Sequence, residues 1–269
     1  MRLLILSDIH ANVDAFDAVL EAAEGERWDR ALVLGDLVGY GAEPNAVIER
    51  VLSLNPMAVI RGNHDKAACR LADASDFNHV ARAAAMWTAE TLTDENRMYL
   101  ARLPTGPIST DDTVEICHGA PFDEDHYIFD LPDAGHALDT TARPICFFGH
   151  THLPVIYRRD SEGDTGFVPE VEHHLDLPLG DGARYLINPG AVGQPRDGDP
   201  RAAFGIYDTQ RRVMTMSRVD YRVDLAQKRI FDAVLEAAEG ERWDRALVLG
   251  DLVGYGAEPN AVIERVLSL

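Results

Sequence analysis

Basic residues are scarce in this chain: 25 Lys and Arg stand against 45 Asp and Glu, a formal charge of −20. An acidic surface repels phosphate backbones, which argues against a dedicated nucleic-acid groove built from Lys and Arg. Such a charge mainly serves solubility, and a small anionic substrate is still drawn in where bound cations reverse the local sign. Cysteine is sparse too. Cys69, Cys117 and Cys146 are odd in number and widely spaced, which argues against a disulfide framework and points to a reducing compartment. Nowhere do apolar residues run for the roughly 20 positions of a spanning helix. The apolar start Met1-Arg-Leu-Leu-Ile-Leu6 is cut off at once by Ser7-Asp8 and reads as a first strand, not a signal core. We therefore expect a soluble, cytoplasmic protein with no membrane partner.

What is present is ordinary globular composition, 46% hydrophobic and 26% charged over 269 residues, enough for one main domain with a sizeable core. One feature disturbs that division. Residues 16–54 recur without a single difference as residues 231–269. Copies of an ancient structural repeat would have diverged, and one extra copy does not make a solenoid. The domain is therefore expected to span 1–230, with 231–269 a non-functional extension, either a recent duplication or an error at the C-terminus. Its surplus strand Ala246-Leu-Val-Leu249 has no evident partner and could pair with another chain, a route to oligomers. Both copies carry more acidic than basic residues, so the acidic excess survives removal of the second.

The first 65 residues alternate strand and helix. Leu3 to Leu6, Ala31 to Leu34 and Ala58 to Ile60 read as strands, and Ala11 to Ala23 and Pro44 to Leu54 as helices. Right-handed crossovers make such strands parallel and bring their carboxyl ends to one edge. The segment from Ala67 to Arg102 is mainly helical until Pro104 and Pro107; its Trp87 run reads as helix core, not a stacking platform. Further strands are expected over Thr113 to Cys117, Ile145 to Phe148, Val155 to Tyr157, Tyr185 to Ile187, Ala203 to Tyr207 and Val213 to Arg218, with a last helix from Val223. The polar stretch from Ser161 to Gly182 receives no assignment.

Five short blocks fall just past these strands: Asp8-Ile-His10, Gly35-Asp36, Gly62-Asn63-His64-Asp65, His118-Gly119 and Gly149-His150-Thr-His152. Asp, Asn and His together are the ligands of intermediate divalent cations. Asp8 and His10 can face one ion, with His152 completing its shell; Asn63, His118 and His150 suit a second, and the Asp36 carboxylate can bridge both. A pair about 3.5–4 Å apart needs such a bridge to offset its repulsion. Nitrogen and oxygen ligands without thiolate point to Mn, Fe, Zn, Co or Ni. Gly250-Asp251 repeats Gly35-Asp36, but only Asp36 lies between the Asp8 and Asn63 strands, so Asp251 is expected to be a bystander.

In this order the five blocks resemble the calcineurin-like metallophosphoesterase superfamily, and most its small bacterial and archaeal phosphodiesterase branch, over about Met1 to Tyr221. The segment Asn188-Pro-Gly-Ala-Val-Gly-Gln-Pro-Arg-Asp197 resembles that branch as well. Gly35-Asp36-Leu-Val-Gly-Tyr-Gly41 departs from the Asp-Arg-Gly ending of protein Ser/Thr phosphatases, which weakens that reading. The resemblance implies an α/β fold, an αββα sandwich of two mixed sheets flanked by helices, and a dinuclear centre.

A phosphodiesterase acting on a small or nucleotide-like diester follows, by attack of a hydroxide held between two ions. His64, next to a ligand but not needed in either shell, is the candidate general acid, and Asp65 either orients it or caps a helix. Arg196, His126 and Tyr127 are candidate substrate contacts; for Arg196 and Arg201 an ion pair with Asp197 or Asp199 competes. His79, His136, His173 and His174 lack motif context and read as solvated. The alternatives are a phosphomonoesterase, a dinucleoside polyphosphate hydrolase, and a non-catalytic scaffold of the same fold. A scaffold would be expected to lose a ligand or the acid, and this chain keeps them all.

Overall fold

The structure, a computed structural model, describes residues 1–168 and 174–239. Strand β1 (Arg2–Leu6) has two apolar faces. Leu3 and Ile5 face one way and Leu4 and Leu6 the other, and all four are fully buried. A strand of that kind needs cover on both sides. Helix α1 (Val13–Glu26) covers one of them. Asn12 starts it by accepting the Ala15 N–H at 3.1 Å, and its Phe16 and Val19 join Leu4 and Leu6 in one cluster.

Strand β2 (Arg30–Val33), helix α2 (Pro44–Ser53) and strand β3 (Ala58–Val59) follow, and β1, β2 and β3 are parallel neighbours, as the alternation predicts. The helical middle divides into α3 (Asn63–Ala68), α4 (His79–Thr91) and α5 (Asp94–Arg102). Asn78 and Thr93 cap the last two. Trp87 is only half-buried on α4, while Ala81, Ala85, Thr88 and Ala89 form its buried face.

The second half supplies β4 (Ile108–Ser109), β5 (Val114–Ile116), α6 (Leu131–Thr140), β6 (Ile145–Phe147), β7 (Val155–Arg159), β8 (Thr165–Val168), β9 (His174–Pro178), β10 (Arg184–Asn188), β11 (Ala202–Asp208), β12 (Val213–Val219) and α7 (Val223–Glu239). The strands form two mixed sheets in the orders β3-β2-β1-β11-β12-β9 and β4-β5-β6-β10-β7-β8. Between the sheets lie Leu3, Ile5, Leu32 and Leu34 from one and Val114, Ile116, Phe147 and Ile187 from the other. Ala134, Ala137 and Leu138 of α6 close the outer face of the second sheet over Cys146, Phe148 and Leu186. The expected four-layer αββα sandwich is thus the fold.

Four elements lay outside the sequence assignment: α6, the short β4, and the pair β8 and β9 inside the unassigned polar stretch. The boundary expected at 230 falls inside α7, a continuous helix that enters the repeated segment. Residues 231–239 are helical there, as the identical residues 16–24 are in α1. Before the boundary, Arg229 ties α7 to Asp14 and Glu43, each at 3.0 Å. The surplus strand and Asp251 lie outside the described residues. Among the described residues, no helix is long and apolar enough to cross a membrane.

Candidate metal centre

Parallel β1, β2 and β3 in one sheet, and β5 and β6 in the other, deliver the five blocks to a common edge. Backbone bonds lock the loops together there: Asp8 N–H donates to Gly35 O at 3.2 Å, His10 N–H to Asp36 O at 3.0 Å, and Gly149 N–H to His118 O at 2.8 Å. Five of the predicted ligands, Asp8, His10, Asp36, His150 and His152, have φ between 49° and 67°. This left-handed conformation costs a side-chain-bearing residue about 1–2 kcal/mol. Its concentration at one edge shows that the fold holds these side chains against local preference. Glycine permits the crowding. A Cβ on Gly62 would run into Asp36 Oδ1, and one on Gly39 into the His64 ring.

The six charged or imidazole ligands predicted from sequence are all buried, and Asn63 is half-buried. They fall into two groups, Asp8, His10, Asp36 and His152, and Asp36, His118 and His150, each with ligand atoms within 4.8 Å of one another. Asp36 belongs to both. Its Oδ2 lies 3.5 Å from His10 Nε2 and 3.5 Å from His118 Nε2, while Oδ1 accepts the His64 N–H at 2.9 Å. Asn63 Oδ1 joins the second group, 3.2 Å from His118 Nε2.

Every one of the four histidines is fixed by a backbone carbonyl. The Nδ1–H groups of His10, His118 and His152 donate to Val38, Leu34 and Gln194 at 3.0, 2.8 and 2.5 Å, and His150 uses Nε2–H to Asp125 at 3.1 Å. In His10, His150 and His152 the opposite nitrogen is thereby left unprotonated and aimed into the cluster, the second-layer arrangement of metal-bound imidazole. Asp8 Oδ1 is buried with no hydrogen-bond partner, 3.4 Å from His152 Nε2. A buried carboxylate oxygen facing imidazole lone pairs is what a divalent cation satisfies, so the residues present fit a metal.

The charges agree. Burial pushes the Asp36 carboxyl up, but the His118 and His64 rings outweigh it and hold it well below the usual carboxylate range. Burial lowers His10 well below its ordinary value and His150 to about 3, keeping both neutral near pH 7. His118 differs: burial lowers it, yet the Asp36 and then the Asp8 carboxylates raise it to about 10. In the metal-free chain a proton takes the place that a cation would occupy.

Beside the cluster opens a cleft of about 640 Å³, lined in part by Tyr40, His64, Phe77, Tyr127, Gln194 and Arg196. His64 is buried but reaches it, its Nδ1 without a partner, and burial lowers its pKa to about 4. The Asp65 carboxylate makes no hydrogen bond to the neighbouring His64 ring. Its oxygens accept the Gly62 and Val38 N–H groups at 2.9 and 3.1 Å, so it caps α3 and ties the Asn63 block to the Asp36 block. Arg196 donates to Gln194 Oε1 at 3.0 Å and to the Tyr40 hydroxyl at 3.3 Å, and lines the cleft together with Tyr127. Tyr127 stacks on His150 with ring centres 3.7 Å apart. His126 lies elsewhere, 3.5 Å from Asp133 and against Phe122, and is not among the residues lining the cleft. Arg201 pairs with Asp199 at 2.5 Å, leaving Arg196 as the arginine at the site. Sequence reading passed over Phe77, which no motif marks, and the carbonyls of Val38, Leu34, Asp125 and Gln194, which have no sequence signature; His79, read as solvated, is exposed and lines the cleft.

Residues 1–212 match the model of the calcineurin-like phosphoesterase superfamily domain. The chain belongs to that superfamily. A metallophosphoesterase from Sphaerobacter thermophilus has a similar structure, with 39% identity and a TM-score of 0.77, covering 87% of this chain and 95% of that one. The uncharacterized protein MJ0912 of Methanocaldococcus jannaschii is 31% identical over 243 residues, 88% of this chain and 95% of its own. Phosphodiesterase YfcE of Escherichia coli is 26% identical over 219 residues, 77% of this chain and 88% of that protein. This phosphoesterase is accordingly a metal-dependent phosphoester hydrolase, with Asp and His clusters able to hold metal ions.

Proposed function

We propose that the protein is a phosphodiesterase with two divalent ions bridged by Asp36, acting on a small phosphodiester. The observation that carries this is the sharing of Asp36 Oδ2 between His10 and His118, one from each group. Asp8, His10, His152 and Asp36 would hold one ion, and Asp36, Asn63, His118 and His150 the other, drawn from Mn, Fe, Zn, Co or Ni. Ions bound there supply a water nucleophile at neutral pH and neutralise charge developing on the phosphoryl oxygens.

The chain's own groups do the rest. Arg196, held by Tyr40 and Gln194, offers a fixed fork of donors to a phosphoryl oxygen. His64 is neutral in the free site, and an anionic phosphoryl group beside it raises its pKa, so that it delivers a proton to the leaving oxygen. The cleft beyond His64 has room for the leaving arm of a diester, and YfcE is itself named a phosphodiesterase.

The test is a panel of phosphomonoesters, phosphodiesters and pyrophosphate esters, assayed with metal-stripped protein to which Mn is restored. Diesters are expected to turn over fastest. Faster hydrolysis of a monoester or a dinucleoside polyphosphate transfers the assignment to that class, and metal binding without turnover of any ester leaves a scaffold.

A further inference from the structure

The cleft beside the metal cluster is walled by rings, and they are not equivalent. Tyr40 packs on His64 at 4.6 Å with Arg196 5.8 Å from its centre, and Tyr127 lies on His150 with Phe129 stacked 5.2 Å away. Phe77 meets His64 at 4.7 Å and is half-buried, so its remaining side forms cleft wall. Its position is fixed from both directions. Phe77 N–H donates to Ala74 O at 3.2 Å, and the next residue, Asn78, caps α4 through the Val80 and Ala81 N–H groups at 3.0 and 2.9 Å. An aromatic surface held by its backbone thus stands next to His64, the proposed general acid. Among the described residues lining the cleft, Arg196 is the one Lys or Arg, and Asp76 lies beside Phe77. One cation suits a single phosphate, and an acidic neighbour disfavours a second one farther out. A flat, uncharged base with hydrogen-bonding edges fits that wall, and the volume is that of a small-molecule site.

We propose that Phe77 is the stacking surface for a nucleobase, so that the leaving alcohol of the substrate is a nucleoside. This rests on the phosphodiesterase reading above.

The test is calorimetric binding of adenosine 5′-monophosphate and ribose 5-phosphate to the full-length, Mn-loaded protein. The two ligands share phosphate and sugar and differ in the base. The nucleotide is expected to bind about tenfold more tightly, the scale of one base–aromatic stack. Phe77→Leu, which keeps apolar bulk against His64, brings the nucleotide to the level of ribose 5-phosphate without changing the latter, and Phe77→Tyr keeps the preference. Equal affinities in the unmodified protein, or a preference that survives Phe77→Leu, overturn the proposal while leaving the metal site standing. If neither ligand nor inorganic phosphate binds and no aryl phosphodiester is hydrolysed, the phosphodiesterase reading itself fails, and the base site with it.

Discussion

The Nε2 atoms of His10 and His152 lie 3.2 Å apart. A hydrogen bond between them would need one ring to be an imidazolium, because each already donates its Nδ1–H to a carbonyl. Both rings are instead lowered in pKa by burial, so two lone pairs face each other in a buried site. A cation between them removes that repulsion. Returning Mn to metal-stripped protein at about 100 times its dissociation constant is expected to stabilise the fold by about 2.7 kcal/mol. The melting temperature should rise by roughly 5–10 °C. An unchanged melting temperature in a Mn titration would show that the facing nitrogens do not hold metal.

His64→Ala is expected to lower kcat for an aryl phosphodiester about 10²–10⁴-fold, with metal content unchanged. The ring's Nδ1 has no hydrogen-bond partner, and the ring meets His10 edge-on at 4.9 Å and contacts Tyr40 and Phe77 at the cleft. Equal rates in both proteins would remove His64 from the mechanism. A leaving group of low pKa needs little protonation, so the defect should shrink with such a substrate.

Metal uptake should release protons. His118 sits at about 10 in the metal-free fold, above its ordinary 6.5, because Asp36 and Asp8 outweigh the lowering by burial. Its protonation therefore stabilises the metal-free protein fully below about pH 6.5, and that contribution is lost as pH rises through about 10. A metal needs the neutral ring, so binding at pH 8.5 expels the His118 proton. Calorimetry in two buffers of different ionisation enthalpy is expected to show release of about one proton or more per chain. Uptake with no buffer dependence would contradict the assignment of His118.

Much of this site was legible because strand ends and ligand types coincide in the sequence. Asp8, Asp36 and Asn63 follow three apolar runs joined by helical ones, a pattern that fixes parallel order and brings them to one edge. The missed elements lack such periodicity. Strand β9, His-Leu-Asp-Leu-Pro, is an edge strand that buries only the Leu175 and Leu177 side, so its run is too polar to stand out. Helix α6 carries Pro132 and Gly135, and two of its four other apolar residues are alanines, so its apolar face is thin. Phe77 has the same difficulty: it sits in a polar loop, and only the fold places it against His64. For Asp65 the two sequence readings were both open, and hydrogen bonds from Gly62 and Val38 decide for the cap.

A protein cut after Arg229 is expected to keep its phosphoesterase activity. The cut keeps Ala226 and the Arg229 ion pairs with Asp14 and Glu43, and removes Ile230, which is 40% exposed. Those pairs are partly exposed and contribute about 1 kcal/mol or less each, so Arg229→Ala should be mild. Loss of activity on truncation would show that the repeated segment does more than extend a helix.

The central claim is that one carboxylate, Asp36, joins two metal positions. Metal-stripped protein and its Asp36→Asn variant should be dialysed against Mn and their metal content measured by mass spectrometry. The unmodified chain is expected to hold about two ions, and the variant to lose most of both because the shared bridge is gone. A chain that holds none, or a variant that keeps both ions at unchanged affinity, would contradict the account.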